Sequence, residues 1–140
     1  MLALLLALQD PLAVRADTVR PVHDALHYEL TVSIPDTGTR IRGEAEITWR
    51  ITSAEPIRLA LDSVFTVSRA AWSGERRMLR GEWRRHGDVI EIPQRRRLGD
   101  TVVTRIEYAG SPRDGLVIHA NVHGDRTAFA DNWPDRAHRW

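Results

Sequence analysis

From Leu26 onward, apolar and polar positions alternate with a period of two. Leu26, Tyr28, Leu30, Val32 and Ile34 interleave with His27, Glu29, Thr31 and Ser33, which gives an extended segment one apolar and one polar face. Pro35-Asp36-Thr37-Gly38 ends the run, because proline cannot donate to a ladder and glycine accepts a positive φ. A second alternation follows, Ile41, Gly43, Ala45, Ile47, Trp49 and Ile51 set against Arg40, Arg42, Glu44, Glu46, Thr48 and Arg50. Together the two runs predict a long antiparallel hairpin.

Shorter strands are predicted beyond it. Ile57, Leu59 and Leu61 alternate after Pro56, and Phe65 to Trp72 carries an apolar group that stops at Ser73-Gly74. Met78 to Arg85 and Val89 to Ile92 are separated by His86-Gly87-Asp88, a connection of hairpin length. Val102, Thr104, Ile106 and Tyr108 alternate between the turns Leu98-Gly99-Asp100 and Gly110-Ser111-Pro112, and Leu116 to Ile118 and Thr127 to Ala130 complete the set. No window of a dozen residues outside the first stretch holds a 3.6-residue period. The expectation is therefore one all-β domain, a sandwich or a pair of curved antiparallel sheets.

The first stretch differs. Leu2 to Leu8 is almost unbroken in apolar residues, too short for the roughly 20 that span a bilayer, and small residues follow in Val14-Arg15-Ala16. Residues 1–16 are expected to be a signal peptide, with residues 17–140 the mature domain, secreted or periplasmic and without a stable membrane span. At 140 residues there is room for one core and no second catalytic domain. The 20 basic residues, all arginine, offset 19 acidic ones. Arg76-Arg77, Arg84-Arg85 and Arg95 to Arg97 flank turns beside Gly, Asp and Glu, the setting of solvated strand ends, so no nucleic-acid partner is expected.

Candidate chemistry is sparse. The chain contains no cysteine, no H-E-x-x-H, no G-x-S-x-G and no phosphate-binding loop. His119 and His123 lie four apart, but in an extended segment that is about 13 Å, far beyond what one zinc ion with bonds of about 2 Å can bridge. His23 and His27 share the spacing and the objection, and His86 sits in a predicted turn. Glu44 and Glu46, flanked by Arg42 and Arg50, read as a surface charge ladder rather than an acid–base couple. No catalytic residue, metal site or cofactor is assigned within the chain.

The order of certain pieces resembles the amino-terminal domain of the gluzincin zinc aminopeptidases, the family of aminopeptidase N and leukotriene hydrolase. Asp24-Ala25-Leu26-His27-Tyr28-Glu29-Leu30 and Ile41-Arg42-Gly43-Glu44-Ala45-Glu46-Ile47 are similar to the family's opening hairpin. Gly87-Asp88-Val89-Ile90-Glu91-Ile92-Pro93, Gly99-Asp100, Ile106-Glu107-Tyr108-Ala109-Gly110 and Gly115-Leu116 follow in the family's order. Arg136-Ala137-His138-Arg139-Trp140 resembles the approach to its W-F-P segment. The resemblance implies a saddle-like β domain, incomplete at its carboxyl end and non-catalytic by itself. Its parent would be a zinc aminopeptidase removing amino-terminal residues from peptides, with the metal in a catalytic domain further along the same polypeptide. Relatives carry a Gln-x-Glu or Gln-x-Gln stretch ahead of W-F-P that holds the substrate's amino end. Its places fall here on Asp131, Asn132 and Trp133, the substrate-binding candidates at the domain boundary, although Trp133 cannot accept a bond from an ammonium group. The residues leave a second reading open: a free-standing exported β-sandwich that binds a partner through Trp72, Trp83 and Trp133.

Overall fold

The computed structural model describes residues 22–72, 83–133 and 137–140. The expected leader at 1–16 and most of the strand expected over Met78 to Arg85 lie outside these residues. Nine strands are described: β1 (Asp24–Ser33), β2 (Ile41–Arg50), β3 (Ile57–Ala60), β4 (Thr66–Trp72), β5 (Arg84–His86), β6 (Val89–Ile92), β7 (Thr101–Gly110), β8 (Leu116–Ala120) and β9 (Arg126–Ala130), followed by a 3-10 turn at Ala137–Arg139. They form three antiparallel sheets, ordered β1-β2-β7-β4, β3-β6-β5 and β8-β9. The fold is all-β, as the alternation predicts. None of the described helical residues forms a segment long and apolar enough to cross a membrane.

The core shows why the pattern works. On β2, Ile41, Ala45, Ile47 and Trp49 are buried while Arg42 and Arg50 are exposed. On β7, paired with β2 from Ile41↔Gly110 to Arg50↔Thr101, Thr104, Ile106 and Tyr108 are buried. Ile57, Ile90 and Ile92 from the three-stranded sheet join them, together with Leu61, Phe65 and Leu116 of β8, so a single apolar cluster is shared by all three sheets. A polar pair sunk into it is satisfied internally: Trp49 Nε1 donates to Thr104 Oγ1 at 2.9 Å, which a buried indole N–H and hydroxyl require.

Two local outcomes differ from the simplest reading of the pattern. Tyr28, Leu30 and Val32 share a face with Ile47 and Ala45, yet Tyr28 is 55% and Leu30 58% exposed. The reason is topological: β1 is the outer strand of its sheet, so its apolar face lacks the cover that β2 and β7 receive. The second difference concerns the charge ladder. Glu44 and Glu46 meet Arg105 of β7, which also faces Glu107, rather than Arg42 and Arg50 along their own strand. Register explains it, because Glu46 lies opposite Arg105, and directly opposed residues stand closer, at about 5 Å, than same-face neighbours two apart on one strand.

Candidate functional site

The last described residues are fastened to the domain through a turn between β3 and β4. Asp62 opens this turn with an Asx geometry, its Oδ1 accepting from the Val64 amide at 3.0 Å, while the Phe65 amide donates to the Asp62 carbonyl at 3.0 Å. From the opposite side, the Asp62 amide donates to the His138 carbonyl at 2.8 Å, and Arg139 Nη1 lies 3.2 Å from Asp62 Oδ2. Arg113 reaches the same carboxylate at 3.5 Å. Arg85 holds the turn from below, its guanidinium donating to the carbonyls of Leu61, Asp62, Phe65 and Gly87. A half-buried cation is stable here because so many carbonyl acceptors converge on it.

Electrostatics follow from this packing. Burial alone would raise the Asp62 carboxyl, but the bond from Val64 and the charges of Arg139 and Arg113 outweigh it and hold the group below its ordinary value. Burial lowers the Arg85 guanidinium from its ordinary value, with Asp88 and Asp62 pulling in the other direction.

A second fastening involves the candidates read from the sequence. The Asp131 amide donates to the Gly115 carbonyl at 2.7 Å, continuing the β8–β9 pairing by one rung. Asn132 Oδ1 accepts from Trp140 Nε1 at 2.9 Å. Gly115 makes this approach possible, having φ +79° and no side chain; a Cβ there would stand 2.6 Å from Asn132 Oδ1 and 2.9 Å from Arg139 Cβ. The structure thus brings Asn132, Gly115, Arg139 and Trp140 together and leaves Asp131 and Trp133 outward, Trp133 being 81% exposed. Asn132 is a strut of the segment. Trp140 is half-buried against the core, and with His138 it helps to line an open groove of about 980 Å³ that Tyr28, Trp49, Arg58 and Tyr108 also line.

Of the remaining candidates, His119 lies on β8 with its ring edge-on to Phe129 at 5.8 Å, and His123 lies in the following turn, where Asn121 Oδ1 caps its amide. Among the described residues no three His, Cys, Asp or Glu side chains are grouped as a metal ion requires. Trp72 is buried and carries Arg96 over its ring, and Trp83 is half-buried, so neither is a free platform beside Trp133. Asp62 was not singled out from the sequence, although Leu61-Asp62-Ser63 carries an Asx-turn signal between two strands, and Gly115 and Arg139 figured there only as part of the resemblance.

The class so defined is a layered antiparallel β domain whose closing segment is bolted back onto its core. No protein-family model and no curated protein sequence matches the chain. Among solved structures, it is similar to an M1 zinc metallopeptidase variant of Deinococcus radiodurans, with 31% identity over 65% of this chain and 21% of that one, at a TM-score of 0.52. It is similar also to such a variant bound to a Tyr-Ser-Ala substrate, with 26% identity over 84% of this chain and 28% of that one, at a TM-score of 0.60. A third is the M1 zinc metallopeptidase of the same organism, with 30% identity over 68% and 22% of the two chains and a TM-score of 0.51. More particularly than its class, then, the chain resembles the amino-terminal region of M1 zinc metallopeptidases, as the order of its sequence pieces implies. It spans between 21% and 28% of the length of these solved chains.

Proposed function

We propose that this chain is the non-catalytic amino-terminal β domain of an exported M1-type zinc aminopeptidase, whose metal is held by residues of a catalytic domain in the same polypeptide. The observation that carries the reading is the joint match in fold and sequence, 26% identity at a TM-score of 0.60 over 84% of the chain. The fastened segment supports it. Backbone bonds tie Asp131 to Gly115 and His138 to Asp62, and the buried Asp62 carboxylate holds the Arg139 side chain. In this reading those two outward side chains contribute to a substrate cleft at the domain boundary. Asp131 offers a carboxylate to the peptide's free ammonium group, Trp133 a flat apolar wall to its first side chain, and Asn132 holds both in place. Residues 1–16 serve as the export signal and 17–140 as the mature domain.

An antibody raised against residues 22–140 tests this in the native host. It is expected to deplete chelator-sensitive aminopeptidase activity from the secreted or periplasmic fraction, together with a polypeptide several times longer than the chain. The recombinant 140-residue chain with added zinc is expected to show no turnover of an aminoacyl chromogenic substrate. Depletion of a 140-residue protein alone, with the activity left behind, would contradict the proposal.

A further inference from the structure

β1, an edge strand, carries a concentration of exposed apolar side chains. Leu26, Tyr28 and Leu30 on the strand, with Ile34 just past it, are each between 41% and 58% exposed. β1 is ten residues long with no proline or lysine in it, and among the described residues no strand pairs with its outer side. Such an edge offers a row of free N–H and C=O groups, which most proteins blunt with a bulge, charge or proline. β1 has a register shift between Ala25 and His27, but His27 to Ser33 pairs regularly. The opposite edge of the same sheet is different: β4 is irregular between Val67 and Arg69, and Arg69 there pairs with Glu107 of the neighbouring β7.

We infer that β1 is a self-pairing edge, joining antiparallel to β1 of a second copy of this chain in a two-fold dimer with its dyad at Leu30. Self-complementarity singles out this occupant. Opposed residues in an antiparallel pair share a face, so a dyad between two residues would turn the second copy's apolar face to the wrong side of the sheet. A dyad at Glu29 sets two glutamates directly against each other, which is unfavourable. A dyad at Tyr28 carries the pairing into the irregular stretch at Ala25–His27. Centred on Leu30, the regular stretch pairs throughout: Glu29 meets Thr31, Tyr28 meets Val32 and His27 meets Ser33, with no like charges opposed. Tyr28, Leu30 and Val32 of both copies then form one apolar band on one side of an eight-stranded sheet. The isologous contact uses up both β1 edges and closes at two copies. The inference does not depend on the proposed enzymatic parent.

A pairing of this length lies at the small end of specific interfaces, so the expected dissociation constant of the 140-residue chain is on the order of tens of micromolar. Sedimentation velocity across that range is expected to show a saturating monomer–dimer equilibrium. Leu30→Glu, at an exposed position, is expected to weaken it by at least about tenfold without lowering the melting temperature. The chain has no cysteine, so single substitutions report the register directly. Across the dyad the Cα atoms stand about 4.5–5.5 Å apart, inside disulfide range. Under mild oxidation Leu30→Cys is expected to form a covalent dimer fastest, ahead of Tyr28→Cys, Glu29→Cys and Thr31→Cys. A chain that stays monomeric, association that grows without saturating, an unaffected Leu30→Glu dimer, or fastest cross-linking at another of the four positions would each overturn the inference.

Discussion

Gly43→Ala is expected to destabilise the domain by about 3 kcal/mol, the upper end for overpacking a core, and to lower its melting temperature by about 10 °C or more. The backbone of Gly43 is not in the left-handed region, so the effect is steric. The ring of Tyr108, directly opposite in the β2–β7 register, lies flat across the place a Cβ would take, overlapping it at Cζ and Oη. The ring borders the open groove, so it can give way only by leaving its packing on the core. Tyr108 is 6% exposed and stands edge-on to Phe65, with centroids 5.4 Å apart and planes at 85°. Moving it would uncover Phe65 and break a favourable aromatic contact. Burial also pushes the Tyr108 phenol up, keeping the ring neutral where it sits. Denaturant unfolding followed by tryptophan fluorescence measures the effect, and a double-mutant cycle isolates its cause. Because the ring is the obstacle, Gly43→Ala with Tyr108→Ala is expected to be less destabilising than the two single changes added together, by about 1–3 kcal/mol. Strict additivity, or a Gly43→Ala chain that melts like the parent, would show that the ring is not the constraint.

Asp62→Ala is the second large change, expected to remove about 2 kcal/mol and to release residues 137–140 from the core. The figure rests on the bond from the Val64 amide and the tie to Arg139. Arg139 is 36% and Arg113 70% exposed at the side chain, so water takes over much of what those cations lose. Trp140 reports the release, through a red-shifted emission as it leaves its place beside Asn132. The pH dependence separates charge from packing. The folded carboxyl lies below its ordinary value, so its contribution is complete above the ordinary aspartate range near about 3.9. It is lost as the pH falls through the lower, folded value. Asp62→Asn keeps the shape and removes that titration. The stability gap between the parent and Asp62→Asn is expected to be constant from neutral pH to about 5 and to shrink as acid titrates the parent. A gap that persists unchanged to pH 2 would mean that the charge of Asp62 contributes nothing.

The sequence-level pattern reads the large features well where one physical rule decides them. Alternation in Ile41 to Ile51 and Val102 to Tyr108 places β2 and β7 correctly because both strands are covered on one side, so burial matches period. The same alternation in Leu26 to Ile34 finds β1 but says nothing about its cover, because edge or centre is a property of strand order. The carboxylates Glu44 and Glu46 are legible as a charge ladder, whereas their partner Arg105 lies about sixty residues away and is set by register alone. Gly43 was visible as part of a resemblance, but its reason is a ring on another strand. At the candidate site, the sequence names Asp131, Asn132 and Trp133 together and does not separate their surroundings: Asp131 and Trp133 are exposed, whereas Asn132 bonds Trp140. Asn132 is a strut because Trp140 turns back onto it, a contact that requires Gly115 from a third place in the chain. The Asp62 hub escaped notice because a lone aspartate at a turn is common, and only the approach of Arg85, Arg113 and Arg139 makes it special.

The most direct test of the central claim is to read the messenger RNA of the native host downstream of the codon for Trp140. The account predicts Phe or Leu and then Pro in frame, followed further along by H-E-x-x-H and a more distant glutamate, the ligand set of the zinc domain this β domain is proposed to serve. A stop codon immediately after Trp140 in the mature transcript, or an in-frame continuation without a zinc-binding motif, would contradict it.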